Sequence, residues 1–165
     1  MANDSHERVL AEILQAPSQQ RLFVYGTLMQ AAASDYGLVA RRRLVQEAPR
    51  RLPARTRGQL YELGQYPGLV DAATDDATGD EVHGELMLLR DAPATLAWLD
   101  EYEAISPAPD ADNEYARQLR AVTVVGHSVM AWTYVYVKSA QGLARVPSGR
   151  WQRADGEREA LMVRG

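Results

Sequence analysis

The chain contains no cysteine, which excludes a disulfide framework, a thiolate nucleophile and a cysteine metal site. No apolar run approaches the roughly 20 residues that a membrane-spanning helix needs. The N-terminus, Met1-Ala2-Asn3-Asp4-Ser5-His6-Glu7, lacks the basic start and apolar middle of a secretory signal. A cytoplasmic protein is therefore expected. Neither a Gly-x-Ser-x-Gly elbow nor a Gly-Lys-Ser/Thr phosphate loop occurs, so serine-hydrolase and P-loop nucleotidase chemistry are poor readings. Histidine is scarce. His6, His83 and His127 share no metal-ligand spacing and read as surface or structural residues rather than ligands. Phenylalanine occurs once, against eight tyrosines.

What remains is the composition of an ordinary globular protein, with 46% apolar and 24% charged residues in a chain of 165, long enough to bury a real core as one domain. The net charge of −4 is unevenly spread. Arg41, Arg42, Arg43, Arg50, Arg51, Arg55 and Arg57 face only Glu47 in their interval, whereas residues 91 to 114 carry acids and no lysine or arginine. Such a basic cluster could touch nucleic acid. The acidic total favours a solvated face that pairs with acids elsewhere, and no nucleic-acid or membrane partner is expected.

The chain is organised around Arg21-Leu22-Phe23-Val24-Tyr25-Gly26-Thr27-Leu28-Met29. Leu22 to Tyr25 suit a buried strand and run straight into a glycine and a hydroxyl residue, so the strand must end in a tight turn. Successive N–H groups facing one hollow bind a carboxylate or an oxyanion without any cationic side chain. A strand ending in Gly-Thr is, by itself, most often only a strand ending.

Around this stretch the spacing predicts a short helix over residues 6 to 15, a linker at Pro17 to Gln20, and a compact domain from Arg21. The boundaries expected are 1–20 for helix and linker, 21–153 for the domain and 154–165 for a tail. Residues 30 to 40 read as a loop or frayed turn. Strands are expected near residues 43–48, 57–63, 81–89, 115–124 and 129–137, with turns at Pro67-Gly68 and at residues 125–128 and an exposed acidic loop at 71–80. Gly84 marks a bulge or a close backbone approach. Asp91 caps a helix with Pro93 in its first turn. A mixed α+β domain follows, built on a curled sheet or small barrel.

In that helix Leu96, Leu99 and Glu103 recur at spacings of three and four, which gives them one face. A carboxyl on a leucine stripe is an anomaly. Held in poorly hydrated surroundings its pKa rises, which suits proton shuttling near neutrality. The plainer reading is a helix-end glutamate that reaches solvent or pairs with an arginine, and only a pocket beside it would promote Glu103 to a catalyst. Tyr25, Tyr66, Tyr115, Tyr134 and Tyr136 are core or strand-face residues by default. A minority, with Tyr66, Tyr115 and Tyr134 the candidates, could line a polar pocket.

The ordered motifs Phe23-Val24-Tyr25-Gly26-Thr27-Leu28, Gly58-x-Leu60-Tyr61, Tyr66-Pro67-Gly68, Val82-x-Gly84-Glu85-Leu86, Leu99-Asp100-x-Tyr102-Glu103 and Tyr115-x-Arg117 resemble the gamma-glutamylcyclotransferase-like superfamily over roughly residues 21 to 151. Within it, the likeness is to the short bacterial group and the gamma-glutamylamine type, because Leu28 follows Thr27 directly. The resemblance implies a small β-barrel with flanking helices. It also implies a substrate-binding loop at Tyr25, Gly26, Thr27 and Leu28, and an acid/base role for Glu103. The implied reaction releases 5-oxoproline from a small-molecule gamma-glutamyl donor by intramolecular aminolysis, with no metal or organic cofactor. Ala104 departs from the pattern, since that subgroup carries a glycine after the glutamate. This departure motivates the alternative of a non-catalytic small-molecule binding or regulatory domain on the same fold.

Overall fold

The computed structural model of the chain describes residues 2–32, 35–71 and 79–151. The expected tail at 154–165 and most of the acidic loop lie outside the described residues. Helix α1 (Ala2–Gln15) leads through a 3-10 turn (Ser18–Gln20) into β1 (Arg21–Val24). There follow α2 (Leu38–Glu47), β2 (Arg51–Arg57), β3 (Gln59–Glu62), β4 (Pro67–Val70), β5 (Glu81–Leu88), α3 (Ala92–Tyr102), β6 (Tyr115–Val124), β7 (His127–Tyr136) and β8 (Arg145–Val146).

Five strands close a barrel in the order β1-β5-β2-β6-β7, and β4-β3-β8 form a small second sheet. The barrel closes through a parallel pairing of Leu22 with Trp132, while the other neighbours run antiparallel. Leu22, Phe23, Leu86, Val82 and Val122 on its strands are all essentially inaccessible to solvent, packed on one or other face of the barrel wall. Gly84 is a close approach: a Cβ there would stand 2.1 Å from the Val24 carbonyl oxygen. No helix among the described residues is long and apolar enough to cross a membrane.

Three expectations are corrected. Residues 43–47 belong to α2, with Ala48 as its C-cap, and not to a strand, because Ala40, Arg41, Leu44 and Ala48 recur at helical spacing and are all buried. The strand expected at 57–63 is two strands broken at Gly58, whose φ is 151°. β2 precedes that break and escaped notice because Pro53 and three arginines mask its alternation of buried Leu52, Ala54 and Thr56. Pro67-Gly68 lies inside β4; the turn falls before it, where the Leu63 N–H donates to the Tyr66 carbonyl at 2.9 Å. Gly68 is needed there because a Cβ would meet Tyr136 Cβ at 2.9 Å.

The arginine cluster is split between α2, β2 and the link between them, and four of its members pair with acids. Arg43 pairs with Glu47, Arg50 with Glu12, Arg51 with Glu85 and Arg55 with Glu81.

Candidate active site

β1 ends at Val24, and the chain turns through Tyr25, Gly26, Thr27, Leu28 and Met29, all buried. The Met29 N–H donates to the Gly26 carbonyl at 3.1 Å and closes the turn. Gly26 cannot carry a side chain, since a Cβ would sit 2.7 Å from Pro67 Cγ. The turn is held on every side. The Tyr25 hydroxyl donates to the Tyr134 carbonyl at 2.6 Å and accepts from the Leu69 N–H at 3.0 Å. Arg41 from α2 donates to the Thr27 carbonyl at 2.9 Å, and the Thr27 hydroxyl is hydrogen-bonded to Tyr102. Further on, the Glu85 carboxylate accepts the Gln30 N–H at 2.7 Å and is anchored by Arg51 at 3.1 Å. No acceptor among the described residues takes the N–H of Gly26, Thr27 or Leu28.

Glu103 arrives as the C-cap of α3, one residue past its last full turn. The helix stops by a paired closure in which the Ala104 N–H donates to the Glu101 carbonyl at 3.0 Å and the Ile105 N–H to the Asp100 carbonyl at 2.9 Å. That closure requires a left-handed residue, and Ala104 supplies it at φ 56°. Asp100 fixes the helix end to the barrel. It accepts two bonds from the Arg117 guanidinium at 2.9 and 3.1 Å and a third from the Tyr134 hydroxyl at 2.6 Å. Arg117 in turn lies over the Trp132 ring at 4.3 Å.

Between the turn and the helix end lies a cavity of about 190 Å³. Its floor is formed by Phe23 and the Tyr25 to Leu28 turn, with Tyr115 and Tyr134 on the walls. The rim carries Tyr36, Tyr66, Tyr102, Ala104 and Glu114. Glu103, half-buried, opens onto the same space. All eight residues singled out from the sequence therefore border one cavity: the four of the turn, Tyr66, Tyr115, Tyr134 and Glu103.

Burial raises the Glu103 carboxyl from its ordinary 4.5 to about 7, with the negative charges of Glu114 and Asp100 adding to the effect. Near neutrality both of its protonation states are populated. The tyrosines do not titrate in that range. Burial pushes Tyr25, Tyr115 and Tyr134 far up, and burial plus the bond to Glu114 pushes Tyr66 up to about 12. They are neutral hydrogen-bonding groups.

Sequence reasoning missed Tyr36, Tyr102 and Glu114, which reach the cavity through tertiary packing. It also gave no role to Asp100, Arg117 and Glu85, although each stood inside a quoted motif.

The family model described as gamma-glutamyl cyclotransferase, AIG2-like, matches residues 22–153. The gamma-glutamylcyclotransferase family protein YtfP of Escherichia coli strain K12 is 33% identical over 135 residues, covering 82% of this chain and 98% of the relative. The chain belongs to the gamma-glutamylcyclotransferase family. A Citrobacter rodentium family protein matches at the same identity, covering 82% of this chain and 97% of the relative. Among solved structures, a mouse AIG2-like protein superposes with a TM-score of 0.54 at 22% identity, covering 78% of this chain and 86% of its own. That likeness is one of fold. Within the family frame, α1 lies wholly ahead of the matched region.

Proposed function

We propose that this gamma-glutamylcyclotransferase family member releases 5-oxoproline from a gamma-glutamyl amide by intramolecular aminolysis. One observation carries the reading: Glu103 lines the same cavity as Gly26, Thr27 and Leu28, whose N–H groups have no acceptor among the described residues.

The substrate's α-nitrogen attacks its own γ-carbonyl carbon, forming the ring C–N bond while the bond to the leaving nitrogen breaks. Both reacting groups belong to one molecule, so the protein gains most by holding it folded. Glu103, ionised, takes a proton from the α-ammonium and returns it to the leaving nitrogen. A second proton passes the same way as the tetrahedral intermediate collapses, so the amine departs as an ammonium and no water is consumed. The amides of residues 26 to 28 hold the α-carboxylate or the oxyanion that develops on the γ-carbonyl. Ala104 adopts the left-handed conformation that a glycine would serve, so the helix closure beside Glu103 forms without the glycine.

The test is 5-oxoproline release from a panel of gamma-glutamyl amides and dipeptides. Wild-type protein is expected to turn over at least one of them. Glu103→Gln is expected to lose at least about a hundredfold in kcat, the usual weight of a positioned acid/base, with its circular dichroism unchanged. A folded wild-type protein inert towards the whole panel, or a fully active Glu103→Gln, would overturn the reading.

A further inference from the structure

The cavity lining holds no lysine, arginine or histidine among the described residues; it holds two carboxylates, Glu103 inside and Glu114 on the rim, and six tyrosines. A substrate that places negative charge on oxygen therefore meets amide N–H groups there and no cationic side chain. A cation does reach the turn, from behind. Arg41 on α2 is buried, stands outside the cavity lining, and donates from Nη1 to the Thr27 carbonyl oxygen at 2.9 Å. The N-terminal end of α2 is seated on the same residue, since a Cβ on Gly37 would meet Thr27 Oγ1 at 3.1 Å.

The Thr27 carbonyl and the Leu28 N–H belong to one planar trans peptide unit, so they point in opposite directions. Whatever fixes the first aims the second. A carbonyl that accepts from a guanidinium is also polarised, and the N–H at the other end of the unit becomes a stronger donor. The rest of the turn is held independently. The Met29 N–H closes it on the Gly26 carbonyl at 3.1 Å, the Tyr25 hydroxyl secures its start, and Glu85 takes the Gln30 N–H at 2.7 Å beyond it. Loss of the guanidinium thus frees one peptide unit rather than the whole loop.

We infer that Arg41 is a positioning residue for the reaction: it holds the Thr27 carbonyl outward and so turns the Leu28 N–H into the cavity, as the donor to an anionic oxygen of the substrate. That oxygen belongs to the α-carboxylate or to the oxyanion formed on the γ-carbonyl. The inference rests on the cyclotransferase reading above and deepens it by naming the side chain that prepares the amide hollow. Glu103 moves the protons, and Arg41 acts only through the backbone of the turn.

Arg41→Met, Arg41→Gln and Arg41→Lys, assayed on the best substrate of the gamma-glutamyl panel, test this role. Arg41→Met keeps an apolar stem without donor or charge and is expected to lower kcat/KM between about tenfold and a hundredfold, at or below the weight of one oxyanion-hole donor. Arg41→Gln is expected to lose nearly as much, and Arg41→Lys, which keeps the charge and a donor, to recover most of the loss. A loss mainly in kcat identifies the oxyanion as the group held, and a loss mainly in KM the α-carboxylate. The second readout is the Leu28 amide in isotope-labelled protein titrated with 5-oxoproline, which carries both the carboxylate and the ring carbonyl. Its proton resonance is expected to move downfield in wild type and Arg41→Lys and to stay in place in Arg41→Met. Should Arg41→Met not fold, Arg41→Gln against Arg41→Lys gives the same comparison. Unchanged kcat and KM in folded Arg41→Met, or activities that follow the urea midpoints of the three variants rather than their charge, overturn the inference and leave the cyclotransferase reading standing. If wild-type protein turns over nothing in the panel, that reading fails and the titration decides alone. A shift that Arg41→Met loses then supports the positioning role, and no shift in wild type, or the same shift in Arg41→Met, overturns it.

Discussion

Ala104 holds a left-handed backbone at φ 56° because the closure of α3 demands it. An L side chain there costs roughly 1–2 kcal/mol, against about 0.4–1 kcal/mol that glycine loses through the greater freedom of its unfolded chain. Ala104→Gly is therefore expected to stabilise the protein by about 0.5–1 kcal/mol, read as a higher urea midpoint at unchanged slope, with Glu103 and its activity preserved. Glu103 carries a cost of another kind. Its carboxyl titrates near 7 in the fold and near 4.5 in the ordinary state, so the folded chain binds the extra proton across that window. Stability conferred by the protonated form is complete below about 4.5 and declines as pH rises through about 7. Glu103→Gln, which has no charge to bury, is expected to be more stable than wild type at pH 8. The gain is on the order of 2 kcal/mol after allowance for partial exposure, and it shrinks towards pH 5. Wild-type kcat/KM is expected to fall as pH drops below about 7, because the base is then protonated. A flat profile between pH 5.5 and 8 would remove Glu103 from the base role.

At the scale of elements, Asp100 decides where α3 ends relative to the barrel. It gathers Arg117 from β6 and Tyr134 from β7, so the helix end cannot slide without breaking three bonds. Asp100→Ala leaves a guanidinium and a phenol without this acceptor and is expected to cost roughly 2–3 kcal/mol. Activity should fall as well, chiefly in kcat, because Glu103 loses its fixed approach to the cavity. A variant destabilised to that extent but with kcat intact would reduce Asp100 to a packing role. The sequence made α3 legible because Asp91 and Pro93 announce its start and its leucines repeat at helical spacing; the Asp91 carboxylate accepts the Ala94 N–H at 3.1 Å. It made α2 and β2 illegible. There the buried faces include Arg41 and sit beside arginines whose long stems cover apolar surface while their charges find Glu12, Glu81 and Glu85. A pattern that counts arginine as an outward residue misreads such segments.

For the whole molecule, Arg21 joins the leading helix to the barrel. Its guanidinium is buried and donates to the Ile13 and Ala16 carbonyls at the C-terminal end of α1, each at 2.8 Å, and to the Met130 carbonyl of β7, also at 2.8 Å. A cation at a helix C-terminus also meets the negative end of the helix dipole. Arg21→Leu leaves those carbonyls unmatched and is expected to cost roughly 3–5 kcal/mol, with amide exchange quickening first across residues 4–16. Protection there equal to wild type would mean that Ile13 packing alone holds the helix. Local chemistry was enough, from sequence alone, to determine the turn after β1, the capped start of α3, the terminal hairpin and the family likeness. Each of these depends on neighbours a few residues apart or on motifs in fixed order. Only the tertiary structure decided that Glu103 opens into a cavity and that Glu114 and Tyr36 stand on its rim. It alone decided that, among the described residues, the cavity wall holds carboxylates and phenols without a cation. A shared cavity is a relation between segments distant in the chain, and closing the barrel, not any local propensity, brings them within reach of one small molecule.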